Sequence, residues 1–242
     1  MSLVQFPVAP LQTPLETLLT GFFIKIADHM ADNYLEKRYE EVFGKGQSKT
    51  SPLTRKPSLD TLLLRNRSYR GYDKSYEVHI RQLQTIIAVN PKVASSINMQ
   101  RLRFRPVTKG PDADIVNSHI RMGRALPELH LPFPGTEPES FIIVCSTAEE
   151  NPGIDIDLGI SLQSMLLKAV ELGLGGIIIR NFDIEPLQKE LNLPLKPLAV
   201  LAIGKPAEKI ELVPAHQGDD LRYWRENGTH YVPKLTPEDI TI

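Results

Sequence analysis

Three arginines and a serine fall within six residues, Arg65, Arg67, Ser68 and Arg70, directly before Gly71. A guanidinium presents a rigid planar fork of donors that matches a phosphate or carboxylate, and a serine hydroxyl adds a short hydrogen bond without further charge. Between residues 51 and 105 the chain carries eleven Lys or Arg against three Asp or Glu, whereas all 242 residues carry 28 basic and 29 acidic side chains. The chemistry implied is a local anion site. A near-neutral chain offers no global field to draw nucleic acid or an anionic membrane. The competing reading is a solvated basic helix end, since arginine near a helix C-terminus is favourable by itself.

Other chemistries find little footing. The histidines His29, His79, His119, His130, His216 and His230 are scattered without metal-ligand spacing, so no metal site is expected. The lone Cys145 lies in the apolar run ESFIIVCST and reads as a small buried strand residue. It has no partner for an internal disulfide, which agrees with a reducing cytoplasm. Glycines 173, 175 and 176 stand between a helix pattern and a strand pattern, the reverse of the order that a dinucleotide fingerprint needs, and read as a helix C-cap. No nucleophile elbow is present. The basic stretch has no aromatic interleaving beyond Tyr69, Tyr72 and Tyr76, so nucleic acid is not expected as a partner. Nor is a membrane: the N-terminus has no basic run ahead of its apolar residues, and LLTGFFIKIADHM is interrupted by Lys25 and Asp28.

The elements that would position the basic cluster follow from periodicity. Apolar residues from Leu15 to Phe43 recur at spacings of three and four, a long amphipathic helix that Gly44 stops and a polar linker follows. Residues 1–57 are thus expected to form an arm, and 58–242 a body. Ser58 caps a helix SLDTLLLRNR; if that helix continues to Arg70, Arg67 and Arg70 share a face. A second helix is expected over 76–89, a half-exposed strand at LRFRPV, a short helix after Pro111 and a buried strand at FIIVC. Then come the most strongly apolar helix of the chain around IDLGISLQSMLLKAVELGLGG, a strand GIIIRNF, a helix IEPLQKEL and a fully apolar strand LAVLAIG. Helices first and an uneven alternation afterwards favour an α+β domain with a mixed sheet. The tail from Lys205 is polar with apolar punctuation, as a segment lying against something would be.

The ordered set RNRSYRGY, ASSINMQRLRF, DLGISLQSMLLKAVELGLGGIIIRNF and LAVLAIGKP resembles the nitroreductase family of FMN-dependent flavoproteins, and the closing GDDLRYWRENGTHYVPKL is similar to the tail of one of its branches. The resemblance covers residues 58 to about 235. It implies a mixed central sheet flanked by helices and an intertwined homodimer with FMN at each interface site. NADH or NADPH would donate a hydride to flavin N5, and a small-molecule acceptor would receive it. By the same resemblance, Arg67, Ser68 and Arg70 hold the FMN phosphate and pyrimidine edge. Ser95, Ser96 and Asn98 reach the flavin from the other subunit, Arg180 and Asn181 stand at the strand end facing N5, and Lys234 meets the phosphate. Arg70 and Asn181 are the catalytic candidates: Arg70 as the cation beside N1 and C2=O, Asn181 at the strand end. Asn66 and Leu235 stand where this family usually has arginine, so fewer charge-assisted contacts to FMN are expected. The alternative on the same fold is a flavin- or nucleotide-binding protein without turnover.

Overall fold

The computed structural model describes residues 56–242. The arm expected over 1–57 lies, apart from its last two residues, outside the described residues.

Helix α1, Leu59–Arg65, opens at Ser58, whose hydroxyl accepts from the Thr61 N–H as expected. It ends earlier than the pattern suggests. Asn66 takes an extended conformation (φ −76, ψ 100), so Arg67 and Arg70 lie beyond the helix instead of on one face of it. Helix α2, Ile80–Ile87, also starts later than expected, at a His79–Gln82 capping box, and buries Leu83 and Ile86. Strand β1, Leu102–Val107, leads to helix α3, Pro111–His119, and to strand β2, Phe141–Ser146, in which every residue is buried.

Helix α4, Pro152–Glu171, is the longest among the described residues, capped by Asn151 and ended by Gly173, whose φ of +75 is the left-handed cap that glycine supplies cheaply. Strand β3, Gly175–Ile179, helix α5, Ile184–Glu190, and the fully buried strand β4, Pro197–Gly204, complete the main layer. The four strands order as β1-β2-β4-β3, all neighbours antiparallel, and Ser68 adds a parallel bridge to Gly176 on the free edge of β3.

Alternation sorts the sheet's side chains to two faces. Phe141, Ile143, Val200 and Ala202 pack with α3 and α5, while Ile142, Val144, Leu201 and Ile203 pack with α2 and α4. Each of these side chains larger than Ala202 contributes roughly 1.5–3 kcal/mol relative to exposure. The result is an α+β domain of three layers with the sheet in the middle.

The tail, read as a polar segment lying against something, is a second, mixed sheet. Strand β5, Lys209–Ala215, pairs in parallel with β7, Thr229–Leu235, which pairs antiparallel with β6, Trp224–Glu226. Asn227 (φ 49) and Gly228 (φ 75) make the tight turn between β6 and β7, the conformation that Asn-Gly adopts most easily. Helix α6, Pro237–Ile240, closes the chain. Among the described residues no helix is long and apolar enough to cross a membrane, and no group of His, Cys, Asp and Glu is arranged to hold a metal ion.

Candidate functional site

The first wall of the site is the segment that leaves α1. Tyr69 N–H donates to the Gly176 carbonyl (3.2 Å), so Ser68 and Tyr69 lie along the edge of β3, and Tyr72 bridges to Pro206 just past β4. One glycine permits that approach, and the next permits the close packing of β3 on β4. A Cβ on Gly175 would lie 2.5 Å from the Tyr69 ring, and one on Gly176 would lie 2.4 Å from the Ala202 carbonyl oxygen. Gly175, read from sequence only as part of a helix cap, is what lets the arginine segment lie against β3, and Gly176 leaves room for β4 and for Leu166 of α4.

The second wall is the tail sheet. Along β7, alternate residues His230, Val232 and Lys234 face one side, and all three line the same pocket as Asn66, Arg67, Ser68 and Arg70. Gln163 and Leu166 of α4, Ile178 of β3 and Tyr223 complete a cavity of about 400 Å³. The structure thus brings together four of the expected site residues, Arg67, Ser68, Arg70 and Lys234, from positions up to 167 residues apart in the chain.

The electrostatics are those of an anion site with one internal counter-charge. Arg70 is 8% exposed. Its Nη1 donates to the Ser68 carbonyl (3.0 Å), its guanidinium lies 5.0 Å from the Tyr223 ring centre, and its backbone N–H donates to Glu208 Oε2 (2.6 Å). The other Glu208 oxygen accepts from Arg225. Arg67 donates to the Leu63 carbonyl, and burial pushes its pKa below the ordinary arginine value. Lys234 has no ion-pair partner among the described residues. His230, 2% exposed, stands edge-on to Tyr223 at 4.9 Å. Burial first, then the Arg225 and Arg70 cations, lower its pKa to about 4.

Among the described residues, four buried side-chain polar atoms lack a hydrogen-bond partner: Nε of Arg67, Arg70 and Arg225, and Nδ1 of His230. Three of these residues line the pocket, and Arg225 is paired with His230 across β6 and β7. An orphaned buried polar group costs roughly 1–3 kcal/mol, so a concentration of them, mostly donors, marks a place where an acceptor-rich group completes the structure. FMN, with a phosphate and ring carbonyls, is a group of that kind, and these residues fit it. Asn66, at the position of a usual family arginine, donates instead to Gln163 Oε1 (3.3 Å).

The remaining expected residues lie elsewhere in the same protomer. Ser95 Oγ and Ser96 N–H donate to the buried Asp157 carboxylate at 2.7 and 2.6 Å, and Ser95, but not the pocket residues, lines a cavity of about 160 Å³ with Asn90 and Ser161. Asn98 follows in a turn where Ile97, Asn98 and Gln100 all have positive φ (43, 56 and 47). Arg180, just past β3, pairs with Glu150 and with Asp155 (3.4 Å) at the start of α4. Asn181 accepts from the Arg121 N–H (2.9 Å) and lines an open groove of about 680 Å³ with Arg121, Gly123 and His130. One chain therefore carries three separate groupings: the pocket beside the second half of α4, the Ser95–Asp157 cluster beside its first half, and the groove at Asn181. Tyr223, His230, Arg225, Glu208 and Gln163 escaped the sequence reading. The alternation of His230, Val232 and Lys234 was the available signal for His230; nothing local marks Glu208.

A model of the nitroreductase family matches residues 63–205 of the chain. Among solved structures, a variant of the FMN- and NADPH-dependent nitroreductase NfnB from Sphigopyxis sp. strain HMH is 18% identical, with a TM-score of 0.53 over 62% of this chain and 89% of that one. A nitroreductase family protein from Streptococcus pneumoniae TIGR4 is 14% identical, with a TM-score of 0.51 over 64% and 93%. One from Clostridium novyi NT is 19% identical, with a TM-score of 0.50 over 62% and 86%. At these identities the likeness concerns the fold. No curated protein matches the chain.

Proposed function

The chain belongs to the nitroreductase family, and on that footing we propose that it is an FMN-dependent NAD(P)H oxidoreductase that transfers two electrons to a small-molecule acceptor such as a nitroaromatic or quinone. The observation that carries this reading is the convergence of Arg67, Ser68, Arg70 and Lys234 on one pocket whose buried donors lack acceptors. Bound there, FMN would supply hydride acceptance at N5 and delivery of the electron pair to the acceptor. Arg67, Ser68 and Lys234 would hold its phosphate. Arg70 is pinned by the Ser68 carbonyl, Glu208 and the Tyr223 ring, so it offers a positive charge that need not reorganise when negative charge develops beside it. Such a site needs no side-chain acid or base.

We place the working unit as a homodimer. The Ser95–Asn98 segment and Asn181 lie away from the pocket of their own chain. Ile97, at its centre, is 86% exposed, and α1 buries none of its residues although it carries Leu59, Leu63 and Leu64. A second copy that covers these apolar side chains would bring the Ser95–Asn98 segment to the other pocket.

The binding-only reading has one observation in its favour, the neutral Asn66 tied to Gln163. One missing charge-assisted contact is worth roughly 1.5–3 kcal/mol, about tenfold or more in affinity. Purified protein titrated with FMN and then with NADH or NADPH under anaerobic conditions separates the readings. Bleaching of the bound flavin's visible absorption, with Arg70→Met binding FMN at least about tenfold more weakly, is the expected result. Bound flavin that neither nucleotide bleaches would leave the binding protein, and protein that takes up no FMN would defeat both.

A further inference from the structure

The turn at residues 95–100 holds a shape that its own residues do not favour. Ile97, Asn98 and Gln100 all lie in the left-handed region, and none of them is glycine. Such a conformation persists only where the surroundings over-determine it. The tip has little around it to do so, since Ile97 is 86% and Met99 49% exposed. Within the turn, the Asn98 and Met99 N–H groups donate to the Ser95 and Ser96 carbonyls (2.9 and 3.1 Å), and the exposed Arg103 donates to the Gln100 carbonyl (2.8 Å).

The buried anchor comes from α4. Asp157, 6% exposed, accepts from Ser95 Oγ with one carboxylate oxygen (2.7 Å) and from the Ser96 N–H with the other (2.6 Å). Ser95 Oγ, its proton given to Asp157, accepts in turn from the Gln100 N–H (2.9 Å). One carboxylate therefore fixes both ends of the turn, the first directly and the last through a serine hydroxyl. A carboxylate can accept from both donors at once, whereas an amide would turn a donor toward one of them. Gly153, in the first turn of the same helix, leaves room beside Ser96, whose Oγ lies 3.1 Å from where a Cβ would stand. Farther along, α4 carries Gln163 and Leu166 into the pocket of its own chain, but neither Asp157 nor any residue of 95–100 lines that pocket.

Resting on the reading of this protein as a flavin-binding homodimer, we propose that Asp157 is a positioning residue that acts across the interface: it holds the 95–100 turn of its own chain in the shape that the flavin pocket of the second copy receives. Asp157 itself touches neither flavin nor acceptor. Its effect passes through Ser95 and Ser96 to the exposed tip at Ile97 and Asn98.

Mixed dimers test it. Two chains with different affinity tags are co-expressed, the mixed species is isolated, and FMN binding is followed by fluorescence titration. Asp157→Leu keeps the side chain's shape and removes both acceptors; its homodimer, like that of Arg70→Met, is expected to bind FMN about tenfold or more weakly. In a dimer of one Asp157→Leu chain and one Arg70→Met chain, both defects fall in the same site. The other site has an intact Arg70 and an intact turn, so one FMN per dimer is expected to bind with wild-type affinity. If Asp157 acted through α4 on the pocket of its own chain, each site would carry one defect and neither would recover. That result would overturn the proposal, as would an Asp157→Leu homodimer that binds FMN like wild type. Should Asp157→Leu fail to fold or to pair, Asp157→Asn, which keeps an acceptor for one of the two donors, takes its place in the same mixture with the same expectation. A wild type that binds FMN as a monomer would remove this proposal and leave the flavin site standing. A wild type that takes up no FMN would remove the flavin reading itself, and this proposal with it.

Discussion

Arg70 and Glu208 show how a buried cation is kept usable. Glu208 accepts from the Arg70 backbone and from the Arg225 side chain, so it anchors the segment that carries Arg70 without capping the Arg70 guanidinium. His230, between those arginines, has the titration that should be visible from outside. Its folded pKa of about 4 lies below the ordinary 6.5. Between these values the unfolded chain binds more protons than the native one, so stability rises with pH across that window. The melting temperature is expected to hold steady above about pH 7 and to fall as pH drops from 6.5 toward 4, and His230→Phe should flatten that part of the profile. Differential scanning calorimetry of the two proteins over pH 4–8 measures it, and identical slopes would show that His230 has no part in it. At this scale the arginine–serine cluster was legible because residue type alone announces anion chemistry. His230 was not, because a histidine's meaning lies in what surrounds it.

At the scale of elements, the pocket depends on two strands that tolerate no side chain where they are approached. Ser68 pairs with Gly176 on the outer edge of β3, and on the inner side the Ala202 carbonyl of β4 occupies the space that a Gly176 Cβ would need. Gly176→Ala must part β3 from β4 and displace Leu166, moving the strand edge on which the arginine segment rests. We expect a loss of roughly 1–3 kcal/mol or more, the usual scale of overpacking. Chemical denaturation would measure it, and FMN affinity should fall together with stability; a variant of wild-type stability and affinity would contradict the account. The strands and the buried helix α4 were readable from apolar periodicity. The end of α1 was not, since Asn66 and Arg67 are acceptable helix residues and what ends the helix is the pairing of Ser68 with a strand more than a hundred positions away. The tail sheet was missed for a related reason: its strands are half-exposed and mixed in polarity, so their period-2 signal is weak.

At the scale of the molecule, the described body exposes apolar groups that a free protomer would gain by covering. Ile97, a β-branched residue held at φ 43, projects into solvent beside the half-exposed Met99, and Leu64 of α1 is 67% exposed. A β-branched residue in the left-handed region is an outlier that persists where its surroundings require it. Light scattering is expected to return a dimer of the 27.2 kDa chain. Ile97→Glu, which would set a charge against the partner, should shift the protein toward monomer and cost FMN binding as well. A dimer that survives Ile97→Glu intact, with FMN still bound, would place the interface elsewhere.

Composition and period determined much of this protein beforehand. The neutral total charge, the local basic stretch, the α+β order and the buried strands all follow from local properties that each residue carries wherever it is placed. Which residues meet was decided by the tertiary structure. Arg67 and Lys234 share a cavity while Ser95 and Asn181 stand apart from it, and His230 joins a site that nothing in its neighbours announces. The physical reason is that a pocket is built by close approach across the chain, through glycines that leave room and a carboxylate that ties the arginine segment to the tail sheet. Such contacts are properties of pairs, and a linear reading sees their members only one at a time.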